Sequence, residues 1–299
     1  MSKCYLCPRK CGVERPETAG AEIPPGVCHS PRTPVIARAG LHFWEEPVIS
    51  GTRGSGTVFF SGCNLHCVFC QNYGISTLRQ GRAVSVERLR AIYSELIAQG
   101  AHNINLVTPT HFTDAILESL DTTLSVPVVY NTNGYDSVET LRRFEGKVQI
   151  YLPDLKYADD SLGRRYSGVS DYFSAATAAI KEMFRQTGPF RIGEDGIMRS
   201  GVIIRHLILP GCTENSLAVM RWVEENFRPG DVMFSLMRQY LPCGLVSETK
   251  FPELNRKVSH REYEKLKDAL YSSSIEDGFI QKAPSASREF IPSFDGTGV

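Results

Sequence analysis

Net charge is the first thing this 299-residue sequence lacks, because 33 Lys and Arg balance 33 Asp and Glu. No global field favours a polyanion, and a nucleic-acid partner is not expected. Apolar runs long enough to span a bilayer are also missing, so no membrane association is expected. Residues 1–12 are polar and cysteine-bearing, unlike a secretion signal, and a cytoplasmic location is expected. Short repeats and low-complexity tracts are absent, which removes solenoids and fibrous folds. Cysteine, by contrast, is plentiful. Nine residues fall into two tight groups, Cys4, Cys7, Cys11 and Cys28, then Cys63, Cys67 and Cys70, with Cys212 and Cys243 apart. In a reducing compartment such clustering reads as metal binding and not as disulfides.

Residues 1–34 are Gly/Pro-rich, show no amphipathic period and hold the first four cysteines, as a metal-stapled N-terminal module would. From about Thr57 the pattern becomes six apolar runs, each followed by an amphipathic stretch. TVFFSG precedes 85–99, INLV precedes 112–122, and VPVVYN precedes 137–144. VQIYLPD precedes 171–186, VIIRHLILP precedes 216–227, and DVMFSLM precedes 260–276. Six strand-then-helix units predict an α/β fold with a parallel sheet, curled by right-handed crossovers into a partial (β/α)6 TIM-like barrel over 35–283. Residues 242–258 and the tail 284–299 lack periodicity and are predicted to close over one end of it.

The reactive residues of such a sheet belong at the C-terminal strand ends. There the sequence places Cys63, Cys67 and Cys70, then Thr108 to His111, then Asn131 to Gly134, then Asp154 and Lys156, then Arg205 and His206, and finally Arg238 to Tyr240. Alternation sets Asp154 and Lys156 on one face with Ile150 and Leu152, and Arg205 with Ile203 and Leu207. Charges in line with buried apolar residues need a partner or a ligand. Asp154 with Lys156 reads equally as a structural ion pair, and His206 as a hydrogen-bonded core histidine. Three thiolates spaced Cys63-x3-Cys67-x2-Cys70 cannot saturate a four-iron cluster, which leaves one iron open to a ligand. The alternative is a structural zinc site, which would need a fourth ligand from His66, Cys212 or Cys243.

That motif, with Phe69 before the last cysteine, resembles the signature of radical S-adenosylmethionine enzymes over about residues 40–282. The strand endings Asn131–Tyr135, Asp154–Lys156 and Ile204–Gly211 resemble those of pyruvate formate-lyase activating enzyme. CPRKCGVER, LHFWEEPVISGTRGSGTVFFSGCNL and CQNYGIS followed by NINLVTPTHF are similar to a group of activating-enzyme homologues. The resemblance implies a 4Fe–4S cluster on Cys63, Cys67 and Cys70, with S-adenosylmethionine at its open iron. It also implies an electron donor such as flavodoxin or ferredoxin, and a 5′-deoxyadenosyl radical that takes a hydrogen atom from a substrate. By the same resemblance Phe69 borders the adenine, Arg205 pairs with the cofactor carboxylate, and Gln239 meets the ribose. Thr108, Thr132, Asn133, Asp154 and Lys156 would complete the cofactor cleft.

Two departures stand out. Activating enzymes carry a Gly-Gly-Glu-type segment after the second strand, where this chain has Thr108-Pro109-Thr110-His111, and they tend to have an aspartate where Asn131 stands. The substrate is open between a glycine of a protein, as for a glycyl-radical-enzyme activase, and a peptide or small metabolite. A non-catalytic iron–sulfur or zinc binding module would leave the polar strand ends surplus. The quartet Cys4, Cys7, Cys11 and Cys28 is complete for a structural zinc, placed ahead of a second iron–sulfur cluster. His42, Trp44, Glu45 and Glu46 are expected to bear on substrate and not on cofactor.

Overall fold

The computed structural model describes residues 3–18, 20, 22–281 and 292–299. Its strands are β1 (Val35–His42), β2 (Ser55–Phe60), β3 (Arg82–Ala83), β4 (Ile104–Val107), β5 (Val128–Thr132), β6 (Ile150–Pro153), β7 (Arg191–Ile192), β8 (Met198–Leu207), β9 (Met233–Met237) and β10 (Gly278–Ile280). The helices are α1 (Pro47–Ser50), α2 (Tyr73–Ser76), α3 (Val86–Ala98), α4 (Thr113–Ser119), α5 (Val138–Arg142), α6 (Asp160–Ser167), α7 (Tyr172–Thr187), α8 (Thr213–Asn226) and α9 (His260–Tyr271). Among the described residues no helix is long and apolar enough to cross a membrane.

Across the sheet the order is β10-β9-β8-β6-β5-β4-β2-β1-β3, with β7 paired to β8. Every ladder from β2 to β10 along that path is parallel. The six expected strands are therefore present as β2, β4, β5, β6, β8 and β9. The sheet is nonetheless mixed, because β1 runs antiparallel to both β2 and β3, and β7 antiparallel to β8. Each step along the parallel part goes to the next place in the same direction, so right-handed crossovers keep the helices on one face.

Strand alternation separates two apolar layers. Val58, Phe60, Ile104, Leu106, Tyr130, Tyr151, Val202 and Ile204 pack towards the helices in the main core. Val129, Ile150, Leu152, Ile203 and Met233 face the other way and form a smaller cluster with Ile49 of α1. Ile150, Leu152 and Ile203 thus share one layer, as the expected alternation requires, whereas Leu207 packs against the main core. The helix α6 is not legible in the sequence because DSLGRRYS offers only two apolar residues, Leu162 and Tyr166, among eight. Its ends nevertheless carry cues, since Asp159 accepts from the Ser161 N–H and Gly168 closes the helix at φ 63°.

The described residues of 3–34 contain no helix, and they are held by contacts with the sheet-bearing part. Arg15 is buried and donates to the carbonyls of Ser30 (2.8 Å), His111 (2.6 Å) and Pro31. Arg9 donates to four carbonyls, Asn64 (2.8 Å), Leu65 (3.3 Å), Ser167 (3.1 Å) and Gly168 (2.7 Å). Gly62 (φ 87°) is where this segment presses closest, since a Cβ there would lie 2.3 Å from Ser30 Oγ. The last residues form a strap along β1: Gly296 N–H donates to Ala37 O and Ala39 N–H to Thr297 O. The tail is expected over 284–299, and its part 284–291 lies outside the described residues.

Candidate active site

The C-terminal ends of the parallel strands surround a cavity of about 240 Å³. Its walls include Cys63, Cys67 and Cys70, and also Phe69, Thr108, Thr132, Asn133, Asp154, Lys156, Arg205 and Gln239. Every residue expected in the cofactor cleft therefore lies on one cavity. Leu241, Cys243 and Pro292 also line it, so parts of the 242–258 loop and of the tail do cover this end. Thr110 and His111 do not reach it. Thr110 Oγ1 donates to Asp136 (2.6 Å), and His111 Nε2 meets Ser61 O at 2.7 Å.

The loop after β2 carries the three cysteines, and each sulfur receives a hydrogen bond. Ser167 Oγ lies 3.0 Å from Cys67 Sγ and Ser76 Oγ lies 3.3 Å from Cys70 Sγ. Cys63 Sγ accepts from the Leu65 N–H and from Asn133 Nδ2, both at 3.4 Å. Burial, with Cys67 close by, pushes the Cys70 thiol up to about 12. Burial also raises Cys67, although Lys156 opposes it. Thiolates here need a bound cation, and sulfurs already supplied with donors suit metal ligation. Among the described residues no group of three or more His, Cys, Asp or Glu is drawn around a single metal ion. A cubane sets its thiolates on separate irons, so its ligands need not converge on one point. Of the candidates for a fourth zinc ligand, His66 has its Nε2 2.7 Å from Val27 O, Cys212 does not line the cavity, and Cys243 does line it and donates to Phe69 O.

Beside Cys67 begins a buried ionic relay. Lys156 Nζ meets Asp154 Oδ2 at 2.5 Å, and Asp154 Oδ1 accepts from Arg205 Nε at 3.0 Å. Arg205 Nη1 reaches Glu45 Oε2 at 3.2 Å and Nη2 reaches Asn131 Oδ1 at 2.6 Å. Burial raises the Asp154 carboxyl, but Arg205 and Lys156 outweigh it and the net direction is down. Three of the five guanidinium N–H donors are used, which leaves two for a ligand. Asn131 also donates to Glu45 Oε1 at 3.2 Å. An amide suits that place because it gives to the carboxylate and accepts from the guanidinium; an aspartate would oppose Glu45.

Other expected site residues have structural duties as well. Thr132 Oγ1 is 2.5 Å from Asp136 Oδ2, so its hydroxyl is committed to a buried carboxylate that the sequence reading missed. Asn133 also holds Asn64 Oδ1 at 2.8 Å. Gly134 (φ 82°) permits the close pass of two strand ends, since a Cβ would lie 2.1 Å from Asp154 O. Thr108 adopts φ 59°, a strained conformation for a β-branched residue, of the kind that clusters at functional sites. Phe69 is held edge-on by Tyr240 and Tyr166. His206 is the core histidine expected, bonded to Leu155 O (2.6 Å) and Ser216 Oγ (2.8 Å). Ser76, Ser167, Asn105 and Asp136 lacked any sequence signal, because hydroxyls, amides and lone acids are common and their partners are distant in the chain.

The N-terminal cysteines are electrostatic neighbours, Cys7 with Cys28 and Cys11, and Cys28 with Cys4, but here too, among the described residues, no three of them are grouped around a single metal ion. Burial pushes the Cys7 thiol up to about 12, against hydrogen bonds from the Arg9 backbone and the Asn64 side chain.

Residues 57–222 match the Radical SAM superfamily. "Uncharacterized protein MJ0674" of Methanocaldococcus jannaschii is 30% identical over 278 residues, covering 89% of this chain and 73% of the relative. Among solved structures, a spore photoproduct lyase mutant with dinucleoside spore photoproduct aligns with a TM-score of 0.49 at 13% identity over 74% of each chain. Methylornithine synthase (PylB) aligns at 0.48 and 14% identity, over 76% of this chain and 70% of its own. Streptococcus suis SuiB bound to precursor peptide SuiA aligns at 0.45 and 14% identity, and this chain spans 46% of its length.

Proposed function

The chain belongs to the radical SAM superfamily, and on that footing we propose that it is a hydrogen-abstracting enzyme with Cys63, Cys67 and Cys70 as the ligands of its 4Fe–4S cluster. The observation that carries this reading is three donor-supplied sulfurs in the wall of the cavity that also holds Asp154, Lys156 and Arg205. When bound, cluster and S-adenosylmethionine supply reductive cleavage to a 5′-deoxyadenosyl radical, with the electron drawn from a carrier such as flavodoxin or ferredoxin. The chain's residues bind, orient and exclude water. Ser76, Ser167 and Asn133 hold charge on the sulfurs, Phe69 offers an apolar edge to the adenine, and Gln239 is within the same wall for the ribose. The free N–H donors of Arg205 and Lys156 receive the cofactor carboxylate. Leu241, Cys243 and Pro292 shield the cavity from solvent.

The order of the parallel strands supports a partial (β/α)6 barrel over 35–283. Residues 1–34 are read as a metal module, zinc ahead of iron–sulfur on Cys4, Cys7, Cys11 and Cys28. The substrate is read first as a glycine of a protein, from the resemblance to activating enzymes. A second reading, a peptide or small metabolite, is favoured by the charged cavity floor at Glu45. Anaerobically reconstituted protein, dithionite and S-adenosylmethionine test the core of the proposal: 5′-deoxyadenosine should form, and Cys67→Ala should abolish it. Equal yields from the two proteins would overturn it. A new organic radical on a co-incubated glycyl-radical protein, seen by electron paramagnetic resonance, would establish the activase reading.

A further inference from the structure

Between the sulfurs of Cys7 and Cys63 stand two side-chain amides, Asn64 and Asn133. Asn64 is buried, 1% exposed. Its Nδ2 donates to Tyr135 O at 2.7 Å, and the same side chain hydrogen-bonds Cys7 Sγ. Its Oδ1 accepts from Asn133 Nδ2 at 2.8 Å, and that nitrogen also donates to Cys63 Sγ at 3.4 Å. Neither amide is free to turn over. A reversed Asn64 would set its oxygen against Tyr135 O, and a reversed Asn133 would lose the bond that its Oδ1 accepts from the Tyr135 N–H at 2.9 Å. The donor on Cys63 is therefore aimed by Asn64, and Asn64 is held in part by Cys7. The N-terminal segment also grips the cysteine loop from the side of Cys28. His66 Nε2 lies 2.7 Å from Val27 O, and a Cβ on Gly62 would stand 3.0 Å from Cys28 O. Residues 62–66 are thus bracketed by both halves of the N-terminal cysteine group.

We infer that Asn64 is a positioning residue that couples the two cysteine groups, so that a metal held through Cys7 fixes Asn133 on Cys63 and steadies what Cys63 ligates. A metal-bound sulfur carries negative charge and draws an amide donor more strongly than a thiol does. That pull holds Asn64 in place, and Asn133 with it. Loss of the metal slackens the donor on Cys63, and a cluster with one weaker hydrogen bond to sulfur has a lower potential. For the identity of what Cys63 holds, the coupling rests on the radical SAM reading; for its path it needs only the two amides.

The first test uses the metal-free full chain carrying Cys67→Ala and Cys70→Ala, which removes the companion ligands of Cys63. Zinc chloride is added, and the rate of alkylation of Cys63 by iodoacetamide is read by mass spectrometry. Zinc should slow that rate about tenfold, and the slowing should vanish when Cys7→Ser or Asn64→Ala is added. Slowing that survives in Cys7→Ser would put the zinc on Cys63 itself and overturn the inference. Slowing that survives in Asn64→Ala, or no slowing at all, overturns it equally. The second test takes the chain with all its cysteines, reconstituted with iron and sulfide, through an electron paramagnetic resonance titration. Cys7→Ser and Asn64→Ala should each lower the potential of the cluster on Cys63, Cys67 and Cys70. Adding Cys7→Ser to Asn64→Ala should change it no further, because the path is already cut, whereas additive shifts overturn the coupling. Should Asn64→Ala fail to fold, Asn133→Ala cuts the same path one side chain later and carries both expectations. A failure of the radical reading shows separately, as absent 5′-deoxyadenosine with the zinc effect on Cys63 intact.

Discussion

Glu45 and Arg205 lie 160 residues apart in the chain and 3.2 Å apart in space. That contact joins the segment entering β2 to the middle of the sheet and closes a relay that starts at Lys156 beside Cys67.

Removing the middle of the relay should cost stability before it costs chemistry. Asp154 is shared by Lys156 and Arg205, all three side chains about 15% exposed or less. Asp154→Ala leaves two buried cations short of an anion and is expected to destabilise by about 3–5 kcal/mol, read from urea unfolding. An unchanged midpoint would mean that water already solvates the pair.

Hydrogen bonds to cluster sulfurs stabilise the more negative, reduced state and so raise its potential. Ser167→Ala removes the 3.0 Å donor to Cys67 Sγ. The reconstituted variant is expected to keep its iron and show a lower reduction potential in an electron paramagnetic resonance titration, with activity falling by about tenfold or more. A potential equal to wild type would mean that the hydroxyl points only to Tyr157, its other neighbour at 2.8 Å.

Buried His206 is held neutral, because burial lowers its pKa from 6.5 to about 4 against the pull of Leu155 O. Between those two values the unfolded chain binds a proton that the folded chain refuses. Stability contributed by neutral His206 is therefore complete above about pH 6.5 and is lost as pH falls towards about 4. His206→Asn should flatten the stability profile in that window by about 1.4 kcal/mol per pH unit. Parallel profiles for variant and wild type would refute this.

Arg9 fixes the cysteine loop from the N-terminal side through Asn64 O and Leu65 O. Arg9→Ala should lower the iron retained on Cys63, Cys67 and Cys70 by about tenfold after chelator challenge. Metal analysis of the same protein settles the N-terminal quartet. One zinc per chain is expected there, and its absence together with extra iron and sulfide would replace zinc by a second cluster.

The parallel part of the sheet was legible because its strands are buried on both faces and appear as continuous apolar runs. By contrast β3, β7 and β10 have two or three residues each, and they exist only through their pairing partners. The antiparallel β1, VIARAGLH, mixes apolar residues with Arg38 and His42 and left no run to notice. The cysteine spacing and the strand ends located the site. Its internal wiring was not legible, since Glu45 with Arg205 and Ser167 with Cys67 are meetings across 160 and 100 residues. Asn131 illustrates the gap well: the residue type stood out, and only its two partners explain it.

The strap along β1 bears on the order of assembly. Strand order in the parallel sheet follows chain order, so the sheet can grow one strand and helix at a time as the polypeptide is made. Gly296 and Thr297 then bond back to Ala37 and Ala39, while Phe294 sets its ring edge against Phe59 at 5.3 Å and Pro292 joins the cavity wall. The cavity wall is therefore completed by a residue that follows every strand of the sheet in the chain, so the site closes only after the sheet has formed.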